Sequence, residues 1–151
     1  MAETIMVDSE AEMLALGARI AAQVRMGDVI ALAGGLGAGK TTLARGILAA
    51  LGLDSEAPSP SFALVQPYDV PEVRLPVTHV DLYRLDDPAE VDELALDDYL
   101  LESLLIVEWP DRMGDRLWRH ALQLAIEVDE AGGRRLTAQV PDDWRDRWSQ
   151  I

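Results

Sequence analysis

Apolar positions recur along the chain at two spacings, one helical and one of strands. Ser9-Glu10-Ala11-Glu12 has the form of a capping box, with the Ser9 hydroxyl and the Glu12 carboxylate placed to satisfy free N–H groups at a helix start. Leu14, Leu16, Ile20 and Val24 follow at helical spacing, which predicts an amphipathic helix to about Arg25, broken by Gly27-Asp28. Val29-Ile30-Ala31-Leu32-Ala33 is wholly apolar, as expected of a strand covered on both faces. A glycine-rich turn from Gly34 to Gly39 comes next, then a helix from Thr41 to Leu51 that stops at Gly52. Phe62 to Gln66 and Val77 to Asp81 read as strands connected across Pro67, Pro71 and Pro76. Pro88 to about Glu102 reads as helical with a break near Ala95 to Asp97, and Leu104 to Val107 as a second strand of the buried type. Leu122 to Val128 and Leu136 to Val140 alternate in polarity around Gly132-Gly133 and predict a hairpin, with a short helix after Pro141. With no repeat, linker or low-complexity segment, residues 1–151 are expected to form one domain that mixes α and β.

Composition narrows the function classes. The chain has 151 residues and no cysteine, which excludes disulfide scaffolds, thiolate metal sites and cysteine catalysis. Its 27 acidic and 13 basic residues give a net charge of −14, a poor match to a protein that grips nucleic acid by itself. No apolar run approaches a membrane span, and the start Met1-Ala-Glu-Thr-Ile lacks the pattern of a signal peptide, so a cytoplasmic protein is expected. The charge is uneven: Asp81 to Asp111 holds eleven acidic residues and one arginine, Arg84. Such a run is either a solvated helical face or a docking surface for a basic partner.

Gly34-Gly35-Leu36-Gly37-Ala38-Gly39-Lys40-Thr41 fits the phosphate-binding pattern G-x-x-x-x-G-K-[ST], with a buried strand before it and an amphipathic helix behind. Glycines let the backbone turn its N–H groups onto phosphate oxygens, and the helix points its positive end at the same anion. Gly35, Leu36, Gly37, Ala38 and Gly39 would form the cradle. Lys40 would reach the β- and γ-phosphates, Thr41 would hold Mg²⁺ and Thr42 would meet the α-phosphate. Lys40 is the single lysine beside twelve arginines, and it stands where the motif requires one. The fold expected from these features is a P-loop α/β domain. Its parallel core comprises strands 29–33, 77–81 and 104–107, extended by antiparallel strands including the hairpin after residue 120.

A P-loop requires a carboxylate near the metal, usually at a strand end. Asp81 and Glu108 both satisfy this, one for Mg²⁺ and the other to orient water, in an order the sequence leaves open. Ser59-Pro60-Ser61-Phe62 is either a proline-stiffened turn or the carrier of a switch hydroxyl. His79 shares a strand face with Asp81 and is either packed and hydrogen-bonded or a proton shuttle. Trp109 either covers the nucleotide or packs.

Taken in order, Gly-Leu-Gly-Ala-Gly-Lys-Thr-Thr-Leu at 35–43, Ser-Pro-Ser-Phe at 59–62, His-Val-Asp-Leu-Tyr-Arg at 79–84 and Val-Glu-Trp-Pro at 107–110 resemble the bacterial TsaE family, YjeE-type P-loop ATPases. The resemblance spans roughly residues 10 to 128. It implies ATP and Mg²⁺ as cofactors and slow hydrolysis by the protein alone. The implied partners are TsaB and TsaD, which transfer a threonylcarbamoyl group to adenosine 37 of tRNA; TsaE supports their turnover and does not perform the transfer. By motif position, the resemblance assigns Lys40, Thr41 and Thr42 to phosphate and metal, Ser61 to the switch, Asp81 and Glu108 to metal or hydrolysis, and Trp109 to the nucleotide or partner surface. Two positions depart from the pattern: the family often has Asp where Gly35 stands and Thr where Ser61 stands.

The competing class is a small-molecule kinase of similar size. Arg112, Arg116 and Arg119 have the spacing of a basic lid helix, although Met113-Gly114-Asp115 is a poor helix interior.

Overall fold

The computed structural model describes residues 2–54 and 64–151. One seven-stranded sheet organises them, in the spatial order β1-β7-β6-β2-β5-β4-β3. The strands are β1 (Ala2–Val7), β2 (Val29–Gly34), β3 (Val65–Tyr68), β4 (Val77–Asp81), β5 (Leu104–Glu108), β6 (Leu122–Val128) and β7 (Arg134–Gln139). Four neighbours, β6, β2, β5 and β4, run parallel, and β1, β7 and β3 are added antiparallel. This corrects one expectation. The β6–β7 hairpin is present, but β6 belongs to the parallel core, because its apolar residues pair directly with β2 from Ile30↔Leu122 to Gly34↔Ile126.

Burial explains the strand patterns. Every residue of β4 and β5 is buried, as are the first four of β2, because helical segments cover both faces. On β6, buried Leu122, Leu124 and Ile126 alternate with more exposed neighbours. β3 runs through Pro67, which pairs with Thr78, and an edge strand tolerates the missing N–H; residues 62 and 63 of the predicted strand lie outside the described residues.

One face of the sheet packs α1 (Glu10–Ala21) and α2 (Lys40–Ala50) onto Ile30, Leu32, Leu104 and Ile106. The Ser9 side chain caps α1 by accepting from the Glu12 N–H at 3.1 Å, as the capping box predicts. The helices cross at two glycines. A Cβ on Gly17 would lie 2.8 Å from the backbone of Gly46 and Ile47, and one on Gly46 would lie 2.9 Å from the Leu14 carbonyl. Gly46→Ala is therefore expected to destabilise the fold by about 1–3 kcal/mol despite alanine's better helix propensity, since the backbones must move apart. Urea denaturation checks this, and a stabilised variant would contradict the close crossing.

The other face carries the acidic segment. It folds as a 3₁₀ turn over Pro88–Leu94 and a short α3 (Leu96–Leu100), separated at Ala95 by a left-handed residue with φ of 53°. Val91 and Leu96 pack inward on Val80, Leu105 and Val107, and Asp86, Asp87, Asp92, Glu93, Asp97 and Asp98 are exposed. The chain ends in α4 (Arg145–Trp148), where Arg147 forms a buried ion pair with Asp28 at 2.6 Å and stacks on Trp144. This clamps the residues after 140 to the turn that leads into β2. Among the described residues, no helix is long and apolar enough to cross a membrane.

Candidate nucleotide site

Strand parity brings the site residues together. Leu104 and Ile106 of β5 face α1 and α2, so Glu108, two residues on, faces the same way. Val77 of β4 lies on that face too, which places His79 and Asp81 there. Asp81 and Glu108 are direct partners in the parallel register, at the carboxyl ends of their strands. Next to them, β2 ends in the glycine-rich loop. This is where an open α/β sheet binds ligands, because adjacent connections leave in different directions.

The loop turns through three positive-φ glycines, Gly34 (φ 149°), Gly37 (φ 76°) and Gly39 (φ 116°), and Gly39 caps α2. Helix α2 begins at Lys40, one residue before the predicted start. Leu36 projects outward at 73% exposure, whereas Ala38 packs into the core. A Cβ at Gly35 would stand in open space, so the backbone does not require glycine there.

Lys40 is buried and donates to the carbonyls of Gly34 at 2.7 Å and Gly35 at 2.8 Å. Its Nζ also lies 4.3 Å from the centroid of the Trp109 ring. Burial pushes the ammonium below its ordinary pKa, while Glu108, Asp81 and Asp111 push it back up. Trp109 is held at φ 61°, its N–H bonded to Leu32 of β2, and its ring lies 4.9 Å from that of Tyr83.

Glu108 is the hub. The Thr41 hydroxyl donates to its Oε1 at 3.0 Å, and His79 Nε2 lies 2.6 Å from its Oε2. The Asp81 Oδ1 accepts from the Tyr83 N–H at 2.9 Å. Leu36, Gly37, Gly39, Lys40, Thr41, Thr42, Asp81, Tyr83, Glu108 and Trp109 line one cleft of about 220 Å³. Two buried carboxylates and a hydroxyl beside an ammonium form a hard-oxygen donor set suited to Mg²⁺ held jointly with phosphate oxygens. Among the described residues no group of three or more His, Asp or Glu is placed to hold a metal unaided. Ser61, the expected switch hydroxyl, lies outside the described residues.

A residue not singled out in the sequence also contacts the loop. Arg134, at the start of β7, donates from Nε to the Ala38 carbonyl at 2.8 Å and from a terminal nitrogen to Gly132 at 2.8 Å. Holding a loop carbonyl from behind keeps loop N–H groups free to face an anion. Its only sequence signal is its place after Gly132-Gly133, and the partner is 96 residues away. Arg134→Ala is expected to weaken ADP binding about tenfold, the effect of losing one charged hydrogen bond. Calorimetric titration checks this, and an unchanged affinity would contradict the supporting role.

The three arginines of the kinase reading do not form a lid helix. The 3₁₀ segment Pro110–Arg116 is kinked at Gly114, Arg116 pairs with Asp92 at 2.9 Å, and none of Arg112, Arg116 and Arg119 lines the cleft.

Fold and loop together define a P-loop α/β protein. The sequence profile of the family described as threonylcarbamoyl adenosine biosynthesis protein TsaE matches residues 7–136. The tRNA threonylcarbamoyladenosine biosynthesis protein TsaE of Mycobacterium bovis is 38% identical over 121 residues, covering 76% of this chain and 72% of that protein. The Bacillus subtilis protein of the same name is 36% identical over 127 residues, covering 83% and 78%. The crystal structure of Bacillus subtilis YdiB superposes with a TM-score of 0.84 at 26% identity, over 99% of this chain and 93% of that one. This chain belongs to the TsaE family.

Proposed function

We propose that this chain binds and hydrolyses ATP with Mg²⁺, and that this cycle supports a TsaB–TsaD complex in the threonylcarbamoylation of adenosine 37 in tRNA. The observation that carries the reading is the Thr41–Glu108 contact, which joins the P-loop hydroxyl to a strand-end carboxylate. Bound Mg²⁺ would neutralise developing charge on the β- and γ-phosphates. The chain's own groups have distinct tasks in this reading. The amides from Gly35 to Gly39 hold the phosphates, Lys40 exchanges its loop carbonyls for phosphate oxygens, and Thr42 meets the α-phosphate. Thr41, Asp81 and Glu108 would hold the metal ion and orient the attacking water between them. Trp109 screens Lys40 from solvent.

A second cavity of about 260 Å³ adjoins the loop through Gly37, Gly39 and Thr42 and is lined also by Ser9, Met13 and Arg134. Its position supports a nucleoside phosphate over a free phosphate as the ligand. The net charge of −14 supports reaching tRNA through the complex and not by direct contact.

The test is phosphate release by the purified chain, alone and with TsaB–TsaD. Slow Mg²⁺-dependent ATP hydrolysis is expected, together with multiple rounds of tRNA modification only when chain and ATP are both present. Modification at full turnover without the chain would overturn the reading.

A further inference from the structure

We propose that His79 is a positioning residue for Glu108: its Nε2–H fixes the carboxylate so that Oε1 is presented to Thr41 and the phosphate cleft. The inference rests on the reading above, in which Glu108 serves ATP turnover.

The geometry is a chain of two hydrogen bonds across three elements. His79 on β4 reaches Glu108 Oε2 at 2.6 Å, and Thr41 on α2 reaches Glu108 Oε1 at 3.0 Å. In the β4–β5 register His79 stands opposite Ile106, so it meets Glu108 as the diagonal neighbour on the same face. An ionised carboxylate only accepts, so Nε2 carries the proton. His79 is fully buried, and its Nδ1 has no partner among the described residues. A proton there would find no acceptor among the described residues, so the ring is assigned as the Nε2–H tautomer that donates to Glu108. Removing the ring would leave Oε2 buried without that donor, and the carboxylate would be free to turn away from Thr41. Partners that orient a ligating or reacting group from behind typically change activity 10- to 100-fold when lost.

The side-chain amides separate this role from simple packing. In His79→Gln the amide nitrogen stands at the same bond distance from Cα as Nε2, whereas in His79→Asn it stands where Nδ1 was. Expected for H79Q is ATP turnover near that of the unmodified chain. Expected for H79N is a loss of about 10- to 100-fold in kcat, with KM for ATP within about twofold. Combining H79N with Glu108→Gln should cost no more than E108Q alone, since both act through one carboxylate. ADP binding by calorimetry establishes that each variant is folded. Full turnover in H79N, or H79Q impaired as severely as H79N, overturns the proposal for His79 while leaving Glu108 in place. If H79N does not fold, H79Q alone decides: near-normal turnover supports the donor role, and a tenfold loss with intact ADP binding overturns it. Unchanged turnover in E108Q overturns the underlying assignment of Glu108, and the role of His79 with it.

Discussion

Lys40→Ala is expected to abolish binding of ATP and ADP at concentrations that saturate the unmodified chain. Lys40 is buried, its ammonium bonded to the Gly34 and Gly35 carbonyls beside the Trp109 ring in the wall of the cleft. A charged hydrogen bond contributes about 1.5–3 kcal/mol, so two of them to phosphate oxygens amount to roughly 10²- to 10⁴-fold in Kd. Arginine should not rescue the variant, because its rigid planar fork cannot replace a compact ammonium in this cradle. Calorimetric titration with ADP is the direct check, with a thermal melt to establish folding. Normal affinity in folded K40A would remove the loop from the account.

Glu108→Gln is expected to behave in the opposite manner. The amide keeps one acceptor oxygen, which can face His79, and the Thr41 hydroxyl can accept from the amide nitrogen in place of donating, so ATP binding should change only a few-fold. It lacks the negative charge for a metal and the basicity to orient water, and losses of about 10²- to 10⁴-fold in kcat are typical when such a group is removed. Steady-state phosphate release measures this. A kcat equal to that of the unmodified chain would exclude Glu108 from the chemistry.

Much of this site is legible in the amino-acid sequence. Val29 to Ala33 and Leu104 to Val107 are apolar throughout because each is covered on both faces, and that pattern survives in sequence. The loop was legible because close approach to phosphate restricts residue type at fixed spacing. Asp81 and Glu108 were legible as strand ends, but their pairing came only from the β4–β5 register. What was missed depends on distant pairing. The strand Ala2–Val7 is mostly exposed and lacks a buried pattern; its partner is β7, at the other end of the chain. The parallel alignment of β6 with β2, and the grip of Arg134 on Ala38, are likewise set by the sheet order and not by local spacing. Pro67 argued locally against a strand, and only the edge position of β3 makes it acceptable.

In the proposed function, this P-loop site serves threonylcarbamoyladenosine formation on tRNA. Nucleoside analysis of tRNA from cells depleted of this protein, complemented either with the unmodified chain or with K40A, tests it most directly. Depletion is expected to remove the modified nucleoside, the unmodified chain to restore it and K40A to leave it absent. Undiminished threonylcarbamoyladenosine in depleted cells, or full restoration by K40A, would contradict it.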